Sequence, residues 1–257
     1  MKNSPLAYIH PNAQIGQNVT IEHFAVIYDN VIIGDNTWIG PHAIIMPGAR
    51  IGNDCKIHPH AVISNIPQDL KFDGEDTLAI IGDNTVIREC VTINRGTVDK
   101  NRTEIGKDCL LMAYVHVAHD CIIGDKCILA NAVQLAGHVE IEYHVTVGGT
   151  SAVHQFVKIG QHAMVGGGSL VRKDVPPYIL ASREPLNFEG VNLVGLRRRG
   201  FSNEQIGNIQ DIYRVIYQGG LNVSDAVKEV ENTFAPSEER NLILQFIKSA
   251  TRGIIKG

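Results

Sequence analysis

Aliphatic residues recur at every sixth position over most of this chain. The first column runs without interruption from Ile9 to Ile63, and a mostly small residue follows four positions after each member, as at Ala13. The column lapses over residues 64–80 and again over residues 94–104. A six-residue period of this length indicates an internal structural repeat rather than independent strands or helices.

The longest run of the period extends from Ile105 to Val171. Each hexad supplies a short strand and a turn, and three hexads close a triangular coil of 18 residues whose aliphatic side chains point inward. No hexad buries its aliphatic residue alone, so the coils must stack, about 4.8 Å apart. The sequence therefore predicts a mainly β fold: a left-handed parallel β-helix of hexapeptide repeats followed by a small α-helical C-terminal domain. The left hand is typical of hexapeptide-repeat proteins, although crossovers between parallel strands are usually right-handed.

The two lapses predict loops ejected from the helix near residues 64–80 and 94–104, and loops of that length are usually functional or disordered. After Pro176-Pro177 the period ends, and the domain boundaries are predicted at 1–178 for the β-helix and 179–257 for the helical domain. Ser202 and Gln205 predict a capping box. The predicted helices span Asn203 to Tyr217, Val223 to Phe234 and Glu238 to Ser249.

The composition and the missing motifs argue against several classes of protein. The net charge of -4 and the pI of about 6.2 argue against a nucleic-acid partner. The five cysteines form no CxxC pair, which favours reduced thiols in a cytoplasmic protein. No signal peptide and no integral membrane segment is expected, because no apolar run approaches the required length. We also expect no cofactor and no metal, because a P-loop, a dinucleotide glycine motif and HExxH are all missing from the sequence.

The 18-residue coil converts sequence spacing into geometry, and it singles out His119. Positions 18 apart are neighbours in adjacent coils, so Gly137 lies above His119 and Gln155 above Gly137. Glycine leaves the space above the imidazole open and its backbone N–H accessible, which suits a general base beside an oxyanion donor. Most other histidines are expected to be surface residues of turns. Asp120 either has a functional role, in which it orients the imidazole or pairs with His138 in the coil above, or merely caps the turn, and the two interpretations are balanced.

Three further features of the sequence each allow two interpretations. Cys121 follows the candidate base, but its place in the small inward column favours buried packing over a nucleophile. Gly149 and Gly167 occupy one column in successive coils; they either ease the turn or leave a slot for an extended apolar chain. The run Arg197 to Arg199 either binds an acidic partner or is a solvated face.

Several motifs give the chain a close resemblance to the bacterial UDP-N-acetylglucosamine O-acyltransferases. The resemblance spans essentially the whole chain and rests on motifs of high specificity. They are His116-Val117-Ala118-His119-Asp120-Cys121, Leu135-Ala136-Gly137-His138, Val153-His154-Gln155-Phe156, Asp174-Val175-Pro176-Pro177-Tyr178, Gly190-Val191-Asn192, Arg198-Arg199-Gly200-Phe201 and Thr251-Arg252-Gly253.

This resemblance implies an enzyme that starts lipid A synthesis. It would move a (3R)-3-hydroxyacyl group from acyl carrier protein to the 3-hydroxyl of UDP-N-acetylglucosamine, as a homotrimer with sites between adjacent prisms. His119 would then be the general base, Asp120 its orienting partner and the Gly137 amide the oxyanion donor. Gly167, with Gly149 below it, would set the acyl length. The implied substrate contacts are Asp69, Lys71, His116, His138, His154, Gln155, Asn192, Arg198 and Arg199.

Two positions depart from the family pattern: Asn94 stands where some members have histidine, and Val194 where they have an acidic residue. Both departures concern nucleotide contacts rather than the base. Positive charge at Arg197 to Arg199, together with Arg172 and Lys173, is expected to dock the acidic carrier protein.

Four alternatives compete with this interpretation. The N-acyltransferase of the same pathway carries a globular domain before its hexads, for which a repeat beginning at Ile9 is expected to leave no room. An acetyltransferase that uses coenzyme A differs in its donor. A hexapeptide carbonic anhydrase would recruit His116, His119 and His138 to zinc. A non-catalytic solenoid would only bind a partner, and it predicts no loss of function on replacing His119.

Overall fold

Most hexads form a strand of only two residues, and the second of the two points inward. In the computed structural model, which describes residues 2–257, this second residue is the aliphatic member of the six-residue column, and in the coils after Ile15 it is buried, as at Val117 and Ile123. The small residue four positions later is buried at the corner that follows. Stacked aliphatic columns thus fill the interior of the coil, and burial of this surface stabilises the fold.

The strands follow in chain order. The first eleven are β1 (Lys2–Asn3), β2 (Tyr8–Ile9), β3 (Gln14–Ile15), β4 (Thr20–Ile21), β5 (Val26–Ile27), β6 (Ile32–Ile33), β7 (Trp38–Ile39), β8 (Ile44–Ile45), β9 (Ala49–Ile51), β10 (Lys56–Ile57) and β11 (Val62–Asn65). The next eight are β12 (Leu78–Ile81), β13 (Val86–Ile87), β14 (Thr92–Asn94), β15 (Arg102–Ile105), β16 (Leu110–Leu111), β17 (His116–Val117), β18 (Ile122–Ile123) and β19 (Ile128–Leu129). The last nine are β20 (Gln134–Leu135), β21 (Glu140–Ile141), β22 (Thr146–Val147), β23 (Ala152–Val153), β24 (Lys158–Ile159), β25 (Met164–Val165), β26 (Leu170–Val171), β27 (Ile179–Ser182) and β28 (Asn187–Val191).

Every third strand joins the same sheet, so the coil has three flat faces. Face A contains β1, β4, β7 and their successors, face B begins with β2, and face C begins with β3. Strands within the coil pair in parallel, and in uninterrupted coils the paired residues are 18 positions apart, as for His116 and Gln134. The chain turns from face A to B at the AB corner, from B to C at the BC corner, and from C to A at the CA corner. The predicted fold class is confirmed.

Both lapses in the period fall at the BC corner. Residues 66–77 form the first loop, between β11 and β12, and residues 95–101 form the second, between β14 and β15. The coil resumes its register after each: Ile63 pairs with Ile93, and Ile93 pairs with Val117. Two long loops in neighbouring coils therefore emerge along one edge of the prism.

The third residue of most corner turns has a left-handed backbone. At the BC corner these residues are Asp120, His138 and Phe156, with φ of 60°, 63° and 64°. Asn, Asp and His adopt this region more readily than other non-glycine residues. His42, His60, His144 and His162 occupy the same kind of position, so turn geometry accounts for much of the histidine content. His119 is not one of them.

The prism continues past the predicted boundary at 178/179. Strand β27 pairs in parallel with β25, and β28 then pairs antiparallel with β27, so face A extends to Val191. The helices begin only at Leu193, and the first of them was not predicted. They are α1 (Leu193–Arg198), α2 (Asn203–Gln218), α3 (Val223–Thr233) and α4 (Glu238–Ser249).

The predicted helices α2, α3 and α4 agree with the structure to within one residue at each end. The capping box at Ser202 and Gln205 is present, with each side chain bonded to the other residue's backbone N–H. Helix α2 packs against β28, and the buried Tyr213 hydroxyl donates to the Pro177 carbonyl at 2.6 Å. Within residues 2–257, no helix has both the length and the apolar character needed to cross a membrane.

Candidate functional site

The BC corner between β17 and β18 carries the candidate base. His119 lies in this turn, and its Nδ1 is 2.8 Å from Oδ2 of Asp120. The Asp120 side chain is fully buried, whereas the His119 side chain retains 13% exposure. The pair thus has one end sealed in the protein and one end open to a ligand.

Four hydrogen bonds keep the buried Asp120 carboxylate ionised. Its Oδ1 accepts from the backbone N–H of Thr97 at 3.0 Å and, at 3.3 Å, from that of Lys100. Its Oδ2 accepts from the Thr97 hydroxyl at 2.7 Å and from His119. Burial alone would raise the pKa of Asp120, but these donors outweigh it and lower that pKa to about 2.

This ionised carboxylate determines which nitrogen of His119 is free. A carboxylate only accepts hydrogen bonds, so Nδ1 must carry the proton in the bond to Asp120. Nε2 of a neutral ring then has a lone pair available to take a proton. This arrangement, a buried carboxylate behind an imidazole, suits a group that accepts a proton.

Gly137 lies directly against the imidazole. A Cβ built on Gly137 would come within 2.6 Å of Cε1 and 2.8 Å of Nε2 of His119, so any side chain there would displace the ring. Within residues 2–257, no protein group accepts a hydrogen bond from the Gly137 N–H. The N–H groups of His119 and Gln155, at the same turn position in adjacent coils, are equally free; Gly137 differs because no side chain separates its N–H from the ring.

A second histidine stands next to the first. The rings of His138 and His119 meet edge to face with centroids 5.1 Å apart, and His138 stacks on Phe156 at 4.5 Å. Nδ1 of His138 is 3.2 Å from a carboxylate oxygen of Asp99 without forming a hydrogen bond, and this nitrogen is buried with no hydrogen-bond partner among the described residues. The His138 side chain as a whole stays 14% exposed.

The two loops close one side of this corner. A cavity of about 290 Å³ lies between loop 66–77, loop 95–101 and the corner, and its lining includes Asp69, Lys71 and His138. Asn94 is buried beneath it and donates from Nδ2 to the Ile66 carbonyl at 2.8 Å, which fastens the base of the first loop. The departure at Asn94 thus has a structural role in this chain.

The remaining candidates on this edge occupy neighbouring positions. His116 is on β17, and its Nδ1 is 2.7 Å from the Thr92 hydroxyl; burial first, and then the nearby His119, lower the pKa of His116. His154 and Gln155 are exposed two coils further along the prism. In a single chain these three residues flank the pair of His119 and Asp120 rather than contact it.

Other predicted residues lie at different corners. Asn192 caps α1 and donates to the His162 carbonyl at 2.9 Å, and Arg199 contacts the same histidine at the CA corner. Arg198 beside them is exposed. Gly149 and Gly167 lie at the AB corner, between faces A and B. One chain therefore does not bring all the predicted site residues together.

The chemistry of the corner argues against a zinc site and against a cysteine nucleophile. His119, Asp120 and His138 offer ligand atoms within 4.8 Å of one another, but both Asp120 oxygens are already engaged by donors, and His116 is not in the group. A zinc site built from the three histidines does not match this geometry. Cys121 is fully buried, donates to the Ala136 carbonyl at 3.1 Å, and burial raises its pKa to about 12, so it is not a nucleophile.

A larger cavity of about 590 Å³ lies near the CA corner, between the prism and α4. Its lining includes Glu140, Tyr143, Gln161 and Phe246 but no histidine. Size alone does not make it the reactive site, because it lacks an oriented acid–base pair.

Sequence reasoning missed the residues that hold Asp120. Thr97 and Lys100 lie in the second loop, and Thr103, whose hydroxyl accepts from the Asp120 N–H at 2.9 Å, begins the coil after it. Loop residues have no fixed place in the 18-residue register, so spacing could not locate them. The only available signal was that the loop leaves the prism at the BC corner.

Comparisons with known proteins agree with this architecture. A family described as "Udp N-acetylglucosamine O-acyltransferase; Domain 2" matches residues 174–255, and one described as "Bacterial transferase hexapeptide (six repeats)" matches residues 30–65 and 102–137. An acyl-[acyl-carrier-protein]–UDP-N-acetylglucosamine O-acyltransferase from Aliarcobacter butzleri is 49% identical, over 96% of this chain and 95% of that protein.

Solved structures give the same result. LpxA, a UDP-N-acetylglucosamine acyltransferase from Bacteroides fragilis, superposes with a TM-score of 0.97 at 53% identity, covering 98% of this chain and 99% of that one. LpxA from Acinetobacter baumannii gives 0.97 at 40% identity over the whole of both chains. Sequence and structure together show that this chain belongs to the acyl-[acyl-carrier-protein]–UDP-N-acetylglucosamine O-acyltransferase family of hexapeptide-repeat enzymes.

Proposed function

We propose that this enzyme transfers a (3R)-3-hydroxyacyl group from acyl carrier protein to the 3-hydroxyl of UDP-N-acetylglucosamine, the first step of lipid A synthesis. The observation that carries the mechanism is the bond from Nδ1 of His119 to the buried Asp120, which leaves Nε2 free beside the Gly137 N–H. Family membership supports the donor and acceptor classes.

The reaction follows from these groups. Nε2 of His119 takes the proton of the sugar hydroxyl as the hydroxyl oxygen bonds to the thioester carbonyl carbon. The carbonyl oxygen becomes an oxyanion, which the Gly137 N–H stabilises, and Asp120 stabilises the imidazolium. The C–S bond then breaks, and the leaving thiolate recovers the proton from His119. No covalent enzyme intermediate and no metal is needed.

We assign the acceptor site to two protomers of a homotrimer. Asp69, Lys71, His116, His138, His154 and Gln155 would bind from the BC corner of one protomer. Asn192, Arg198 and Arg199 lie at the CA corner, so they would come from its neighbour. In support, Leu70 at the tip of the first loop is fully exposed, and face B presents Tyr8, Val26 and Ile44 in one outward column.

The acyl carrier protein and its acyl chain would bind at other positions of the chain. The exposed Arg197 and Arg198, with Arg172 and Lys173, offer positive charge to the acidic carrier protein. The column of Gly149 and Gly167 would receive the acyl chain from a neighbouring protomer. The five free cysteines support a cytoplasmic enzyme.

Direct assay tests the proposal. The purified protein is incubated with UDP-N-acetylglucosamine and a panel of hydroxyacyl carrier proteins, and the products are identified by mass. An O-acylated sugar nucleotide is expected. Acylation from coenzyme A thioesters alone would overturn the donor assignment, and retained activity after chelator treatment would exclude zinc catalysis.

Replacing the base gives the first mutational prediction. His119→Ala should lower kcat by about 10²–10⁴-fold without loss of fold, because it removes a positioned acid–base group. His23→Ala, at a turn histidine with 59% exposure, is the control and should stay near wild type. Equal kcat of the two variants would overturn the assignment of His119 as the base.

A further inference from the structure

The second loop supplies the donors that hold Asp120, and Thr97 makes the largest contribution. Thr97 is 8% exposed and donates both its N–H and its hydroxyl to the two oxygens of one carboxylate. Its hydroxyl and the His119 ring share Oδ2, at 2.7 and 2.8 Å. A two-point contact prevents the carboxylate from rotating, and the shared oxygen ties the direction of the imidazole to Thr97.

The loop that carries Thr97 is fastened to the prism. The Thr97 carbonyl accepts from the Asn101 N–H at 2.8 Å, and Nζ of Lys100 is 2.9 Å from a carboxylate oxygen of Glu140. Glu140 in turn pairs with Lys158 at 3.1 Å. These contacts connect the loop to two adjacent strands of face C, β21 and β24, so Thr97 is in place before any substrate binds.

We propose that Thr97 is a positioning residue, which acts through Asp120 to hold the His119 imidazole in its reactive tautomer and direction. Thr97 does not touch the reacting atoms. Because the Thr97 hydroxyl bonds to an ionised oxygen, its removal should lower kcat more than the loss of a hydrogen bond between neutral groups. This inference rests on the proposed role of His119 as general base.

The test is the Thr97→Val variant, which keeps the shape of the side chain but removes the hydroxyl. We expect kcat to fall about tenfold or more, with KM changed less than about twofold, because the hydroxyl affects the base and not substrate contacts. Thr97→Ser restores the donor and should recover most of kcat. A loss confined to KM, or no loss at all, would overturn the proposal.

Thr85→Val is a matched control. Thr85 is also fully buried, and its hydroxyl donates to the Gly106 carbonyl at 2.8 Å and accepts from the Cys109 N–H at 3.1 Å, at the CA corner. It should lose a comparable amount of thermal stability while keeping its kcat. If Thr97→Val fails to fold, Thr97→Ala and Thr97→Ser provide the same comparison of variants without and with the hydroxyl.

A double-mutant cycle separates this role from general support of the fold. In an Asp120→Asn background the additional Thr97→Val change should lower kcat by less than about twofold, because the chain of contacts is already broken. Fully multiplicative losses would contradict action through Asp120. If His119→Ala and Asp120→Asn both retain full activity, the proposed role of His119 as base fails; if only Thr97→Val retains it, the inference alone fails.

Discussion

Histidines in this chain serve two purposes that composition cannot distinguish. Five of the eleven occupy left-handed turn positions, which suit their backbone preferences. At one of these, His162, burial first and then Arg199 and His144 lower the pKa to about 4, so it stays neutral as a packing residue under Phe201. His119 has an ordinary backbone but a buried carboxylate behind it. The partner of a histidine, not its presence, marks the reactive group.

The neighbour of His119 gives a second prediction at this scale. Gly137→Ala keeps the backbone N–H but places a methyl group within 3 Å of Cε1 and Nε2, so the ring must move. We expect kcat to fall about 10–10²-fold, since small displacements of a catalytic group are costly. Steady-state kinetics and thermal unfolding measure the effect.

Gly207→Ala is the control for this substitution. Gly207 lies in α2, and a Cβ there meets nothing within 4 Å. This variant should keep wild-type kcat. A Gly137→Ala enzyme with unchanged kcat would show that the base does not depend on the open space above it.

Residue spacing located His119, Gly137 and His138 because all three belong to uninterrupted coils, where an offset of 18 is a contact. It did not locate Thr97, since the second loop inserts six residues and its path depends on tertiary contacts. It also left Asp120 undecided between two roles, which only its hydrogen-bond partners distinguish. Spacing predicts contacts only where the repeat is continuous.

At the scale of elements, periodicity and capping residues were sufficient to predict the regular strands and helices. The hexads define the strands, and the caps at Ser202 and Ser237 mark the starts of α2 and α4. The hairpin of β27 and β28 was missed because its register shifts at Leu180 and its connection has no short-turn signature. Helix α1 has only six residues and lacks a measurable period. Periodicity predicts an element only when the element is long enough to show several repeats of its period.

The AB corner carries a prediction about acyl length. A Cβ at Gly167 would be 3.2 Å from the Gly149 carbonyl oxygen, and the next nearest atoms, Gly149 N and the Gly148 carbonyl carbon, would be 3.7 and 3.9 Å away, so a small backbone shift makes room for a larger side chain. Gly167→Met should shift the preference toward shorter acyl chains, changing the ratio of kcat/KM for long and short donors by about tenfold or more.

Competition between hydroxyacyl carrier proteins of different length measures this ratio. Gly207→Met on α2 adds the same side chain far from the corner and should leave the profile as in wild type. An unchanged profile in Gly167→Met would remove this column from the donor site.

At the scale of the whole molecule, the residues of the proposed site are spread over three corners of one prism. The base and its carboxylate lie at the BC corner, the arginines near Asn192 at the CA corner, and the paired glycines at the AB corner. Three corners of a triangular prism face three directions, so side chains on different corners of one chain cannot converge on a small substrate. Cyclic association of three copies solves this problem, since it brings unlike corners together at each interface.

Mixed trimers test this arrangement. His119→Ala disables the BC corner of a protomer, and Arg198→Glu reverses an exposed charge at its CA corner. If each site combines the BC corner of one protomer with the CA corner of the next, every trimer containing both variants has one intact site. Mixed trimers isolated through two different affinity tags should then show roughly one third of wild-type activity, although each variant alone is nearly inactive.

A second mixture sets the background for this experiment. His119→Ala combined with Asp120→Asn should show no recovery, because both residues must come from the same protomer for the hydrogen bond between them to form. Recovery in this mixture would mean that subunits contribute activity by another route. Failure of the first mixture to exceed the second would place Arg198 on the same side of the interface as His119, or outside the site, and the two-protomer assignment would be wrong.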